Sequence, residues 1–193
     1  MFELLKTHIQ KRVELTDEEL DRVTMFFTPK KLRKKQFLLQ EGDVCKHITF
    51  VVSGCMRYYA VDEKGEEHVM QFAIEDWWIS DLQSFLTDQP SRNSIDALDD
   101  SELLLLDKAA RDKMLVAVPK LEKFFRLLLE RNYIATQQRL ACTIIASAED
   151  RYLEFMKTFP VLTQRVPQNQ IASYLGITPE SLSRIRKHLS EQK

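Results

Sequence analysis

Glycine is nearly absent from this chain. Four occur in 193 residues, Gly42, Gly54, Gly65 and Gly176, and no two lie close enough to build a G-x-G turn or a phosphate-cradling P-loop. Glycine-built nucleotide loops are therefore excluded. Cysteine is as scarce: Cys45, Cys55 and Cys142 are odd in number and share no C-x-x-C spacing, so neither a disulfide framework nor a thiolate zinc site is indicated. All three are expected reduced and mostly buried. Apolar runs such as Leu103 to Leu106 fall far short of the ~18–20 residues that cross a bilayer. Met1-Phe2-Glu3 opens no secretory segment, which gives a cytoplasmic expectation with no membrane partner. No metal triad, nucleophile elbow or carboxylate pair in a distinctive context appears, so catalysis is not expected.

What is present describes a folded chain. Hydrophobic residues make up 44% and charged residues 30%, far from the signature of disorder. The length suits one large domain or two small ones. Net charge is -1 and the pI near 6.4, short of the basic footprint of many nucleic-acid binders, but the charge is unevenly spread. Residues 163–193 hold Arg165, Arg184, Arg186, Lys187 and Lys193 against Glu180 and Glu191, a surplus of +3 that leaves the remainder at -4. An acidic body with a basic C-terminal module can meet phosphate through that module.

Residues 1 to about 28 read as two helices, from Leu4, Leu5, Ile9 and Val13 and then Leu20, Val23 and Phe26-Phe27, with Thr16-Asp17-Glu18-Glu19 as a capping signal between them. From Lys35 the period changes. Phe37 to Leu39, Ile48 to Val52, Cys55 to Val61, His68 to Phe72, Ser94 to Leu98 and Glu102 to Leu106 are short β-branched, aromatic or apolar segments ended by turn residues, and Gly65 marks a hairpin. Strands so closely spaced predict a β-roll or small barrel. Beyond Asp107 a long helix is expected from about Pro119 to Ile145, with Leu121, Phe125, Leu128, Asn132 and Ala135 in alternating four- and three-residue steps. Such a helix packs along another, and a homodimer is the economical partner, with Asn132 able to fix register.

Gln168 to Lys187 carries the sharpest signal. Ile171, Leu175, Ile177, Leu182 and Ile185 form an apolar set, Ala172 is the small residue at a close approach, and Gly176 turns the chain between two helices, as a helix-turn-helix requires. Thr178 is a hydroxyl N-cap, Pro179 suits the first helical position, and Glu180 favours the positive end of the helix dipole. The outward face is Glu180, Ser183, Arg184 and Lys187. In a major groove Arg184 would face guanine, Glu180 a cytosine amino group, and Thr178, Gln168 and Lys187 phosphates. A plain helical hairpin with a solvated basic face is the competing reading.

The order of parts, together with Glu41-Gly42-Asp43, Phe50-Val51-Val52-Ser53-Gly54 and the run Ile171 to Ile185, resembles the cyclic-AMP receptor protein and FNR (Crp/Fnr) family of bacterial transcription regulators over nearly the whole chain. The resemblance implies an α+β fold: a cyclic-nucleotide-binding-like β-roll at 1–118, a dimerisation helix at 119–146 and a helix-turn-helix of winged-helix type at 147–193, its wing reduced. It implies a homodimer on a two-fold double-stranded DNA operator, with Glu180 and Arg184 as base readers and RNA polymerase as a further partner. It also locates a phosphate cassette at Trp78 to Leu82 and Arg92. Ser80 stands where relatives have glycine and Asp81 where they have glutamate, departures that argue against cyclic AMP, with Arg92 pairing instead with Asp96 or Asp99. Three separated cysteines fall short of the four ligands of an FNR-type iron–sulfur sensor. His8, His47, His68 and His188 read as structural or exposed rather than haem ligands, and Trp77-Trp78 as core. No cofactor is expected, and the effector of the Ser80, Asp81 and Arg92 region stays unidentified. The alternative function is a small-ligand-binding regulatory module whose C-terminal helices contact protein rather than DNA.

Overall fold

The capping signal of Thr16 is realised atom by atom. Its hydroxyl accepts from the Glu19 amide at 3.2 Å while the Glu19 carboxylate accepts from the Thr16 amide at 2.9 Å, satisfying two donors that a helix start leaves unpaired. It opens α2 (Asp17–Thr24) after α1 (Phe2–Gln10). A computed structural model describes residues 1–191. There follow β1 (Thr28–Leu32), β2 (Phe37–Leu39), β3 (His47–Ser53), β4 (Met56–Val61), β5 (Glu67–Ala73), β6 (Trp78–Ile79), α3 (Leu82–Thr87), β7 (Ser94–Ala97) and β8 (Ser101–Asp107). The rest is helical: α4 (Lys108–Ala117), α5 (Leu121–Ile145), α6 (Ala148–Thr158), α7 (Pro160–Arg165), α8 (Gln168–Leu175) and α9 (Pro179–Glu191). The helix expected from Pro119 starts two residues later, because Pro119 lies in the turn that precedes it.

The strands form two four-stranded sheets, ordered β1-β8-β3-β6 and β2-β7-β4-β5. β1 escapes the alternation rule. Its Pro29, Lys30 and Lys31 are exposed, and it occupies a sheet edge, where proline loses no ladder bond and lysines deter further pairing. β8 shows the opposite pattern: Leu103 to Leu106 are all buried, the continuous apolar run of a strand covered on both faces. Gly54 lies at φ +103°, and a Cβ there would stand 2.1 Å from the Ser101 hydroxyl, so close approach as well as backbone angle demands glycine.

The chain divides into two compact units, Met1–Ala60 with Gln71–Glu130, and Val61–Met70 with Arg131–Lys193. In the first unit a buried histidine organises an aromatic cluster. His8 meets Phe50, Trp78 and Phe124 at centroid distances of 5.2, 6.2 and 5.8 Å. Trp78 also packs on Phe27 and Phe125, so the expected core role of this tryptophan holds. Its indole can only donate, and it donates to His8 Nε2 at 3.1 Å. His8 Nδ1 must then carry the proton, and it donates to Asp76 at 2.7 Å. In the second sheet Arg57 lies directly opposite Asp96 and binds it through two parallel contacts of 3.0 and 2.7 Å, both residues being buried. The expected pairing of Arg92 with Asp96 is therefore corrected: Asp96 faces the cross-strand arginine, whereas Arg92 is exposed.

Burial, with Arg12 and Lys11 adding to it, depresses the His8 pKa below its usual value against the pull of Asp76. A depressed folded-state value means that stability is complete above the unfolded pKa of about 6.5 and is lost as pH falls through the folded value. Thermal melting followed from pH ~7.5 down to ~5 should show a falling midpoint, and His8→Asn should flatten that slope while leaving the part due to His47, which burial also depresses. Equal slopes in the two proteins would refute the assignment.

Candidate nucleic-acid interface and effector pocket

The second unit builds its surface from two short helices. α8 ends at Gly176, which takes the left-handed conformation at φ 66° and lets the chain turn within two residues into α9. Ile171, Ala172, Leu175 and Leu182 are buried and fix the helices against each other. Thr178 caps α9, its hydroxyl accepting from the Ser181 amide at 3.2 Å. Glu180, Ser183, Arg184 and Lys187 are exposed, so the outward face expected from the sequence is the face presented. The Glu180 carboxyl is held below its ordinary range by its own backbone amide, then by the Thr178 hydroxyl, with the Arg184 charge assisting. Gln168 opens α8 half-buried, and its Oε1 has no hydrogen-bond partner among the described residues. The stretch before α8, expected to leave little room for a wing, is the short helix α7.

Sequence reasoning missed the residue that braces this unit. Arg139, on α5, donates to the carbonyls of Met70, Val69 and Tyr174, and its guanidinium lies 4.0 Å from the centre of the Tyr174 ring. Beside it Ser173 accepts from the Val69 amide at 2.9 Å and donates to the Glu67 carbonyl at 2.6 Å. Residues 61–70 are thus sewn to α8. The only available signal was that the row Leu121, Phe125, Leu128, Asn132 and Ala135 runs on to a cation, Arg139, four residues later.

That row is not uniformly free for a partner. Leu121 is buried in the core of the first unit, and Phe125 and Leu128 pack against it, while Asn132 and Ala135 are exposed. The open apolar row of α5 lies beside it: Leu129, Tyr133, Leu140 and Ile144 are 49–73% exposed and spaced so as to share one face.

In the first unit Asp81 and Arg92 differ in setting: Arg92 is exposed. Asp81 is buried and caps α3, accepting from the Ser84 backbone amide at 3.0 Å, the Ser91 hydroxyl at 2.6 Å and the Asn93 side-chain Nδ2 at 3.3 Å. Burial pushes its pKa up, but these donors together with the Tyr58 hydroxyl outweigh it and leave the value lowered. Tyr58 in turn is driven up, first by its own burial. Ser80 avoids the left-handed region, and Arg92 points no charge at Asp81 in any hydrogen bond among the described residues. A ribose hydroxyl would have to displace a donor already in place, so these residues do not fit a cyclic nucleotide. Cys45 and Cys55 are buried and Cys142 exposed. No group of three or more histidine, cysteine or acidic side chains gathers to hold a metal ion among the described residues, and none of their helices is long and apolar enough to cross a membrane.

Residues 29–117 match the family described as the cyclic nucleotide-binding domain. The chain is similar to the fumarate and nitrate reduction regulatory protein of Vibrio cholerae, 24% identical over 89% of this chain and 72% of that protein. It is likewise similar to the anaerobic regulatory protein of Haemophilus influenzae, 25% identical over 89% and 70%. Among solved structures it resembles FixK2 from Bradyrhizobium japonicum at a TM-score of 0.73 and 16% identity, over 86% of this chain and 85% of that one.

Replacing Arg139 by leucine leaves three carbonyls without their shared donor and should cost about 1–3 kcal/mol. Thermal unfolding would read the loss, and amide exchange at Val69 should accelerate. Unchanged protection at Val69 would show that Arg139 does not hold residues 61–70.

Proposed function

The chain belongs to the Crp/Fnr family of bacterial transcription regulators, and on that premise we propose that it reads a two-fold DNA operator as a homodimer through α9. It is a regulator and not an enzyme. The observation that carries the reading is the exposed row Glu180, Ser183, Arg184 and Lys187 on a capped helix whose opposite face is anchored by Leu182. Arg184 and Glu180 address base edges, and Ser183 lies between them on the same face. Thr178, Gln168 and Lys187 serve phosphates, because helix starts and cations position a protein on the backbone without selecting sequence.

Dimerisation uses α5, as the 119–146 segment of the expected three-part organisation. The open row Leu129, Tyr133, Leu140 and Ile144 forms the centre of the seam, with Asn132 and Ala135 on its flank. Burying apolar groups of this size is the main favourable term in such an association. The β-roll at 1–118 serves as sensor or scaffold with a degenerate cassette at Ser80, Asp81 and Arg92. RNA polymerase is the further partner in this reading, and the cytoplasm its place of action.

After selection of a preferred duplex, Arg184→Ala should weaken specific binding by about 1–3 kcal/mol and relax base preference. Lys187→Ala should instead weaken all sequences alike and lower the salt slope by about one. Fluorescence anisotropy at several salt concentrations separates the two. Absence of any salt-dependent binding to DNA would turn the reading over to a protein-contacting C-terminal unit. Sedimentation should show Leu140→Glu shifted from dimer to monomer with its helical content kept, and an unshifted dimer would move the seam off this row.

A further inference from the structure

Thr49, in the middle of β3, is 1% exposed and its hydroxyl has no hydrogen-bond partner among the described residues. An unpaired buried hydroxyl is unfavourable and calls for a reason. It lines a cavity of about 470 Å³ between the two sheets of the first unit. Leu39 and Ile95 supply apolar wall, and Lys30, Lys46 and His47 supply its polar groups. His47 and Thr49 stand two apart on one strand and so share a face, which gathers imidazole and hydroxyl on one side. The exposed ammonium groups of Lys30 and Lys46 bear on His47 electrostatically. Asp43 is the carboxylate among the lining residues, against two lysines, and Asp107, opposite His47 on β8, acts on the imidazole from outside the lining. Neither Ser80, Asp81 nor Arg92 contributes to it.

We propose that this cavity is a second site, separate from the cyclic-nucleotide position, for a small organic anion with an apolar body. The anionic head meets Lys30, Lys46, His47 and the Thr49 hydroxyl, and the body lies along Leu39 and Ile95. A concave site of this size, with apolar wall beside a few convergent polar groups, has the form of a small-molecule pocket. The geometry also gives a bound molecule something to act on. The loop that borders the cavity is pinned to the segment beyond it: the Cys45 amide donates to the Ser84 hydroxyl at 2.9 Å, the Gly42 amide to the Ser91 carbonyl and the Ser91 amide to the Asp43 carbonyl, each at 2.8 Å. Ser84 and Ser91 are the residues that hold Asp81, so occupancy is felt at the old cassette through two serines.

The test uses the full-length protein with octanoate as the anionic probe and octanol and octyltrimethylammonium as its neutral and cationic counterparts, followed by methyl-resolved NMR. Octanoate should give saturable shifts at the methyls of Leu39, Ile95 and Thr49, octanol weaker ones, and the cation none. Thr49→Val keeps the shape while removing the orphan hydroxyl. It should melt at or above the parent temperature yet bind octanoate about tenfold more weakly, with Lys46→Ala weakening it in the same direction. The proposal is overturned by the absence of saturation at tens of millimolar, by shifts confined to the α5 methyls of Leu129 and Ile144, by equal binding of the cation, or by undiminished affinity in Thr49→Val.

Discussion

The fixed point of the structure is the seat of α5 in the aromatic cluster around His8. Leu121 and Phe124 are fully buried, and Phe124 meets both His8 and Phe125 edge-on at 5.8 and 5.2 Å. A helix that commits one face to a core at its start has its rotation set for the rest of its length, since each residue advances by a fixed angle. The free row Leu129, Tyr133, Leu140 and Ile144 is what that rotation leaves over. Packing at the start of α5 therefore decides which of its rows stays open, and the polar ring at the centre of the cluster makes the choice strict. Neutral His8 is held from both nitrogens, by Asp76 and by Trp78, so the rings cannot slide past one another without stranding a buried polar atom.

Asp81 of the β-roll already has internal donors on its carboxylate. A carboxylate remains where relatives of the cyclic-nucleotide type would present one, but Asp81 is turned to internal work as the cap of α3 and the acceptor for Ser91 and Asn93. Four donors on one short side chain, Ser84, Ser91, Asn93 and Tyr58, stabilise the ionised form. The shorter arm of aspartate suits that task, because an N-cap must fold back on its own helix within three residues. The same substitution that argued against cyclic AMP in the sequence thus has a structural rationale of its own.

Local patterns were legible and distant ones were not. The capping box at Thr16, the Gly65 hairpin, the order of most strands and the helix-turn-helix from Ile171 to Ile185 all depend on residues within a few positions of each other, and all appear where expected. β1 was missed because Pro29, Lys30 and Lys31 oppose strand propensity, and only its place at a sheet edge makes them acceptable. The Arg57 to Asp96 pair spans 39 residues and is visible only once β4 and β7 are side by side. The row Leu121, Phe125 and Leu128 is shared with the chain's own core, while Asn132 and Ala135 stay exposed, a division that heptad spacing alone cannot tell. Of the readout residues, Glu180, Ser183, Arg184 and Lys187 fall on one exposed face as read. Arg139, which braces the unit through backbone carbonyls, leaves no mark of its partners in sequence.

That bracing holds residues 61–70 against α8 within the second unit. β5 begins in the second unit, where Ser173 holds the backbone of Glu67 and Val69, and continues as the same strand into the sheet of the first. Strand register is discrete, since a one-residue slip exchanges the two faces. Ser173 and Tyr174 lie one turn before Gly176, the residue that sets the path into α9, so the contacts made by residues 61–70 fall on the helix that positions Glu180 and Arg184. Arg139 supplies three hydrogen bonds there, all to backbone carbonyls. Backbone carbonyls are less tolerant of displacement than a mobile acidic side chain, and a clamp built on them responds to where the strand is, not to the charge of its neighbours.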